Sequence, residues 1–384
     1  MYKIFVREIN RIFSRVSTRN LLIIIPIITF FYLGAIYYRG ALREIPVAVY
    51  DLDHSNLSKT ITKYVDASAG TKIVKSLTSA DNIEKVFLEN PEIKAIYFIP
   101  AGTEKKVFKG KSAKVVVYTN SSNIVYGNML YKDAMTVIGT INAGVLLKKF
   151  KVMGLTHEKA MGLIQPIRIK YNVLYNSYYN YLYYLLPGLI TVLLQMIFFF
   201  VATRAINSEK TEGTFNEMMQ TAGNNIFSVI FGKALAYTVM GIVLTLFIFG
   251  VVFPFFGIPY HNLFHLMWFF IFFIVVNIFL GMALSVIIDD EAFAMDVAFV
   301  YNSPAFVFSG FTFPIFAMPA FDQFYAQLIP YTHFLYAFFK LYQMNLPLHY
   351  ISDNILKLSV FLVVGLVVTI SVFYFRTKKY LDND

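Results

Sequence analysis

Residues 204–241 read RAINSEKTEGTFNEMMQTAGNNIFSVIFGKALAYTVMG, a charged, helix-forming island between two long apolar runs. An ionised side chain at a bilayer centre costs roughly 2.5–3.5 kcal/mol on insertion scales. Arg204, Glu209, Lys210, Glu212 and Glu217 together make this stretch prohibitive to bury in lipid. The sequence therefore places it in water, against a membrane, between two spanning helices. Phe215, Met218, Met219 and Ile226 give a short amphipathic helix an apolar face, and Gly213 and Gly223 allow sharp turns at either end. On pattern alone the same letters also fit an ordinary solvated loop.

Composition agrees with the membrane reading. Of 384 residues, 57% are hydrophobic and 15% charged, against about 45–50% and about 25% in soluble domains. The absence of cysteine excludes disulfides, thiolate zinc sites and cysteine nucleophiles. A formal charge of +10 raises the question of nucleic acid. Its distribution argues against that partner, because 39–180 holds 20 Lys/Arg and 11 Asp/Glu, a net of +9 in one polar block.

Outward from the island, residues 1–19 carry Lys3, Arg7, Arg11, Arg15 and Arg19, one basic group every fourth residue. Spacing by four drifts only about 40° per step on an α-helix, so these side chains form one slanted stripe. The segment reads as a cytoplasmic amphipathic helix lying on an anionic leaflet. Residues 20–38 follow as the first spanning helix, too long for the apolar core of a cleavable signal. Its kink at Pro26 is tolerable, and Tyr37-Tyr38-Arg39 anchors its end.

In 39–180, strands are predicted at 45–53, 72–75, 94–100 and 113–119. Helices are predicted at 55–66, 79–90, 102–109 and 123–150. The alternation gives an α/β layer domain, and a domain this long crosses a membrane largely regardless of charge. Gly110-Lys111-Ser112 imitates the end of a phosphate-binding loop but lacks its first glycine, and Asp51-Leu52-Asp53 runs into a helix cap at Ser55 rather than a metal site. His261 and His265 stand four apart at interface depth without the glutamate of a zinc protease.

The chain then returns through a tyrosine belt of Tyr171, Tyr175, Tyr178, Tyr179, Tyr181, Tyr183 and Tyr184. Spans are expected at 181–203, 229–252, 263–288, 293–312 and 355–375, with the island inside 204–228. Asp289-Asp290-Glu291 forces a cytoplasmic turn. Residues 313–350 are broken by Pro314, Pro319, Pro330 and Pro347 and fit a re-entrant hairpin. Counting 20–38, the sum is an α-helical membrane protein with six transmembrane helices, both termini cytoplasmic and the α/β domain inserted on the far side. The five helices of 181–384 form its main body.

Several of these stretches resemble one family. Glu209-Lys210-Thr211-Glu212-Gly213-Thr214, with Gly232-Lys233 at the next helix start, resembles the coupling segment of type-2 ABC-exporter permeases. IPVAVYDLDHSNLSKTI, AIYFIPAGTEKKVFKG and AKVVVYTNSSN resemble the extracytoplasmic domain of the branch with a long N-terminal insertion. SGFTFPIFAMPAFDQFYAQLIPYTHFLYAFF (309–339) is similar to the family's outer gate region, which includes Pro314, Pro319 and Pro330. The resemblance covers nearly the whole chain. It implies that Glu209, Glu212, Gly213, Thr214 and Glu217 contact a separate ABC ATP-binding subunit, acids pairing with that subunit's basic groove. ATP and Mg would be used there, with no cofactor bound by this chain. It also implies a second permease copy or a sibling permease, contact with membrane lipid, and the cytoplasmic (inner) membrane of a bacterium. A periplasmic adaptor is a further partner it allows.

No catalytic constellation stands out in the letters. Gln195, Asn277, Asp296 and Asn302 are the polar residues inside spans and mark a candidate translocation path, with helix–helix hydrogen bonding as the other explanation. The main expectation is a permease exporting a lipophilic or amphipathic compound: a drug, a lipid or a secondary metabolite. The alternatives are a membrane-anchored sensor or scaffold with an extracytoplasmic ligand-binding domain, and a membrane acyl or glycosyl transferase.

Overall fold

A computed structural model describes residues 1–78, 83–167, 169–177 and 179–381, without the side chains of 379–381. Tyr178 of the belt, the first residues of the helix expected at 79–90, and the Lys379 side chain lie outside this description. The chain forms two compact units, Ala41–Asn172 and the pair of segments Met1–Gly40 and Val173–Asp384.

In the first unit the four expected strands are β1 (Ile45–Asp51), β2 (Thr71–Leu77), β3 (Ala95–Ile99) and β4 (Val116–Thr119). They form one sheet in the order β2-β1-β3-β4. β1 pairs in parallel with β2 and β3, and β4 closes the edge antiparallel to β3. Alternation sorts the side chains. Val47, Val49 and Tyr97 bury against Ile61 and Val65 of helix Asn56–Asp66 and Leu130 of helix Ile124–Val152. Ala48 and Ile96 bury on the other face with Val86 of helix Ile83–Glu89. A further helix, His157–Ile164, was not expected from the sequence.

The second unit is helical. Among the described residues, five helices are long and apolar enough to cross a membrane: Val16–Tyr37, Tyr181–Thr211, Ile226–Phe255, Leu263–Ile287 and Leu348–Lys378. Leu263–Ile287 is its centre. A Cβ at Gly281 would lie 2.4 Å from the Phe199 carbonyl oxygen, and one at Gly365 would lie 3.0 Å from the Leu280 nitrogen. Both glycines thus bring neighbouring backbones into close contact, as small residues do between membrane helices. Phe273 and Phe269 stack on Phe334 at 4.0 and 4.8 Å, seating the buried helix Pro330–Tyr342 against the same core.

Two expectations change here. The crossing expected at 293–312 is not one helix. Glu291–Asn302 stops, Ser303-Pro304 turns, and Ala305–Phe308 follows. Pro304 has no N–H to continue the ladder, and 12 residues reach only about 18 Å against a hydrocarbon core of about 30 Å. Among the described residues, long apolar helices therefore number five where six spans were expected. The first span also begins earlier than Asn20: helix Tyr2–Ser14 breaks at the extended Arg15, and Val16 opens the next helix.

Across 313–350 each gate proline starts a helix. Pro314 precedes Ile315–Ala317, Pro319 precedes Ala320–Gln327, and Pro330 is the first residue of Pro330–Tyr342. A fixed φ and a missing donor suit that position.

Candidate functional site

The island folds as two short helices, Asn207–Thr211 and Phe215–Thr221, with Gly213 at φ +70° between them. Gly223 at φ +67° follows, and Asn225 caps the next helix by accepting from the Ser228 N–H at 3.2 Å. Left-handed φ favours glycine at both turns. Phe215, Met218 and Met219 are buried in the bundle core. Their apolar face seats the island instead of presenting a surface.

Glu209 is fully buried, which corrects the expectation that the whole island sits in water. The insertion cost applies to an unpaired charge, and Glu209 is paired three times. Arg7 forks onto it with bonds of 2.7 and 3.0 Å, Lys233 donates at 2.8 Å, and Arg11 forms a third ion pair. Thr214 also donates its hydroxyl to the same carboxylate. Such geometry, with most lone pairs satisfied, is what a buried ion pair needs to offset desolvation.

A second buried acid completes the knot. Glu8 accepts from Lys233 and from the Tyr237 hydroxyl. Burial opposes its charge, yet Lys233, Tyr237 and Arg11 prevail and hold its carboxyl below the ordinary 4.5. Glu212 pairs with Arg11 at 3.0 Å and with Arg15. Burial, with Arg11 and Arg204 nearby, lowers the Arg15 guanidinium to about 10. The basic stripe of the N-terminal helix is thus committed largely to island carboxylates, where an anionic leaflet was expected. Gly232 explains the Gly-Lys pair: a Cβ there would lie 2.8 Å from Ile4 Cβ and 3.0 Å from the Met1 carbonyl oxygen. The glycine admits the N-terminal helix, and the adjacent lysine binds it.

The acidic turn braces the other side. Asp289 accepts from Lys210 and Arg376, each at 2.6 Å, and Arg204 pairs with Glu291. Burial raises and these two cations lower the Asp289 carboxyl, with a net fall below its usual range. Asp290 caps helix Glu291–Asn302 by accepting from the Phe293 N–H at 2.6 Å.

The five residues expected to face a partner therefore separate. Glu209 is internal, and Thr214 is half-buried against it. Glu212, Gly213 and Glu217 are exposed, Glu217 with 69% of its side chain accessible and a 3.4 Å contact to Arg7. Among the path candidates, Gln195 donates to Asn302 at 2.9 Å with both buried. Asn302 donates back to Ala298 and Asn277 to Phe273, each to its own helix at 2.8 Å. Asp296 is exposed and joins neither.

In the sheet unit, Asp51 accepts from the N–H groups of Asp53 and His54 at 2.9 and 3.1 Å, while Asp53 accepts from the Glu104 N–H at 3.0 Å. Gly110 and Lys111 close helix Thr103–Phe108 by donating to Val107 and Lys106, a Schellman cap. Both suspicious motifs are thus used in turns and caps.

Sequence reasoning missed Arg7, Arg11, Arg15, Glu8 and Lys233 as members of the island's network. The available signal was Glu8 on a basic helix and Lys233 inside an apolar run, two isolated charges that require partners.

A family model described as "ABC-2 family transporter protein" matches residues 17–374. No curated protein matches the chain.

Proposed function

The chain belongs to the ABC-2 transporter family, a multi-pass membrane permease that associates with an ABC ATP-binding subunit, and from this we propose that it carries lipophilic or amphipathic cargo outward across a bacterial cytoplasmic membrane under ATP hydrolysis. ATP and Mg are used in the partner subunit. Both termini are cytoplasmic, Ala41–Asn172 is extracytoplasmic, and the functional unit pairs this chain with a second copy or a sibling permease. The broken segment 291–308 completes a sixth crossing within that assembly, and 313–350 re-enters from the outer side.

The observation that supports coupling through 204–228 is the buried charge knot. Glu209 joins the island to the N-terminal helix through Arg7 and Arg11, and to helix Ile226–Phe255 through Lys233. Asp289 joins Lys210 to Arg376 of the last helix. A push on the exposed rim of Glu212, Gly213 and Glu217 therefore reaches three helices through paired charges. Glu209 and Thr214 position that rim and are not themselves offered to the partner.

The test is to purify the chain with its P-loop ATPase, reconstitute both, and measure cargo-stimulated ATP hydrolysis for Glu217→Lys. Stimulation is expected to fall several-fold while the assembled complex stays intact. Undiminished stimulation sinks the coupling role, and co-purification of a kinase or regulator in place of an ATPase favours a sensor.

A further inference from the structure

Far from the island, between the broken segment 313–350 and the last helix, lies a cleft of about 390 Å³. Its position follows from the last helix. Arg376 bonds Asp289 and the Ile287 carbonyl oxygen at the island end. Lys357 stands earlier in the same helix by 19 residues, about 28 Å at 1.5 Å per residue. That separation is close to the thickness of a hydrocarbon core, so the cleft lies at the opposite membrane interface.

Two ammonium groups line it. Lys340 donates to the Tyr350 carbonyl oxygen at 3.2 Å and Lys357 to Gln327 Oε1 at 3.4 Å. Among the described residues, the hydrogen bonds of both lysines go to uncharged oxygens, which leaves their charge uncompensated and donors to spare. Thr332, 2% exposed, also lines the cleft, and its hydroxyl is buried with no partner. A buried hydroxyl normally finds a hydrogen bond. Beside this polar end stand Phe316, 85% exposed, and Tyr336, 48% exposed.

We infer that this cleft binds an amphiphile with an anionic headgroup: the head between Lys340, Lys357 and Thr332, the apolar tail along Phe316 and Tyr336. The ammonium pair supplies charge, the free hydroxyl supplies a donor, and the rings extend the site toward hydrocarbon. The inference rests on the membrane reading of the helices but not on ATP coupling, and it is testable without the ATPase.

The experiment is native mass spectrometry of the full, delipidated chain titrated with dioleoyl-phosphatidylglycerol, dioleoyl-phosphatidylcholine, dodecyl phosphate or inorganic phosphate. The anionic lipid is expected to bind about tenfold tighter than the zwitterionic one, and each of Lys340→Gln and Lys357→Gln to weaken it about fivefold. Thr332→Val should weaken it without changing charge. Lys105→Gln, with the same charge change in the sheet unit, should bind as wild type. If Lys340→Gln does not fold, Lys357→Gln alone carries the test, since that side chain is exposed. Preference for the diacyl lipid marks a resident bilayer lipid, and preference for dodecyl phosphate a smaller amphiphile; either supports the site. Equal binding of the two diacyl lipids, binding by inorganic phosphate as tight as by dodecyl phosphate, or no difference between the cleft variants and the control overturns it.

Discussion

Glu209 and Lys233 meet at 2.8 Å with neither side chain exposed to solvent. Breaking such a pair leaves a buried charge without its counterpart, which costs about 3–5 kcal/mol. Glu209→Ala strips the shared carboxylate from three cations at once and is expected to fall in that range, read as a loss in unfolding free energy in detergent. Lys233→Met should cost less, because Glu209 keeps Arg7 and Arg11. The double variant should fall short of the sum, as coupled sites do. A loss below about 1 kcal/mol for Glu209→Ala would contradict the buried network.

Gly232 sets how closely the N-terminal helix approaches. A Cβ there meets Ile4 and the Met1 backbone at 2.8 and 3.0 Å, whereas a Cβ at Gly250 meets nothing within 4 Å. Gly232→Val is therefore expected to displace helix Tyr2–Ser14 and speed tryptic cleavage after Arg7 and Arg11. Gly250→Ala should leave cleavage unchanged. Equal protection in both variants would mean that the helix is not held there.

The Glu8 carboxyl is depressed in the folded chain, facing Lys233, Tyr237 and Arg11. A depressed acid contributes stability that is fully present above its unfolded value, near 4.5, and is lost as pH falls through the folded value. The N-terminal helix should therefore loosen only below the ordinary carboxylate range and not between pH 5 and 8. Glu8→Gln should be weaker at neutral pH and lose part of this acid dependence, measured by amide exchange across Tyr2–Ser14. A variant whose acid response matches wild type would rule Glu8 out as the group responsible.

What the sequence yielded depended on whether a signal was local. The island shows in 204–228 because charge interrupts two apolar runs, and β1 and β3 show because their apolar letters cluster between turn residues. The partner of the basic stripe did not show. A period of four says which side chains share a face, but Arg7 and Glu209 lie 202 residues apart, and periodicity cannot say what a face meets. The single helix expected at 293–312 failed for the opposite reason: apolar letters run on both sides of the break, and two letters, Ser303-Pro304, decide that the helix stops. The exposed and buried acids of the island were equally opaque, since Glu209 and Glu212 differ only in which way three residues of helix turn them.

Gln195 and Asn302 share a 2.9 Å hydrogen bond in the buried bundle, and Asn302 also donates to its own helix. A group already partnered this way has little left to offer cargo, although Gln195 Oε1 keeps a free acceptor. Interhelical bonds in membranes average about 0.6 kcal/mol. Asn302→Leu should therefore cost on the order of 1 kcal/mol, the bond plus the orphaned Gln195 amide, and Gln195→Leu/Asn302→Leu should recover part of it. Cargo affinity, read from the concentration dependence of ATPase stimulation, is expected to stay within about twofold of wild type in the double variant. An affinity loss larger than the stability loss can explain, with the variant fully folded, would place this pair on the translocation path.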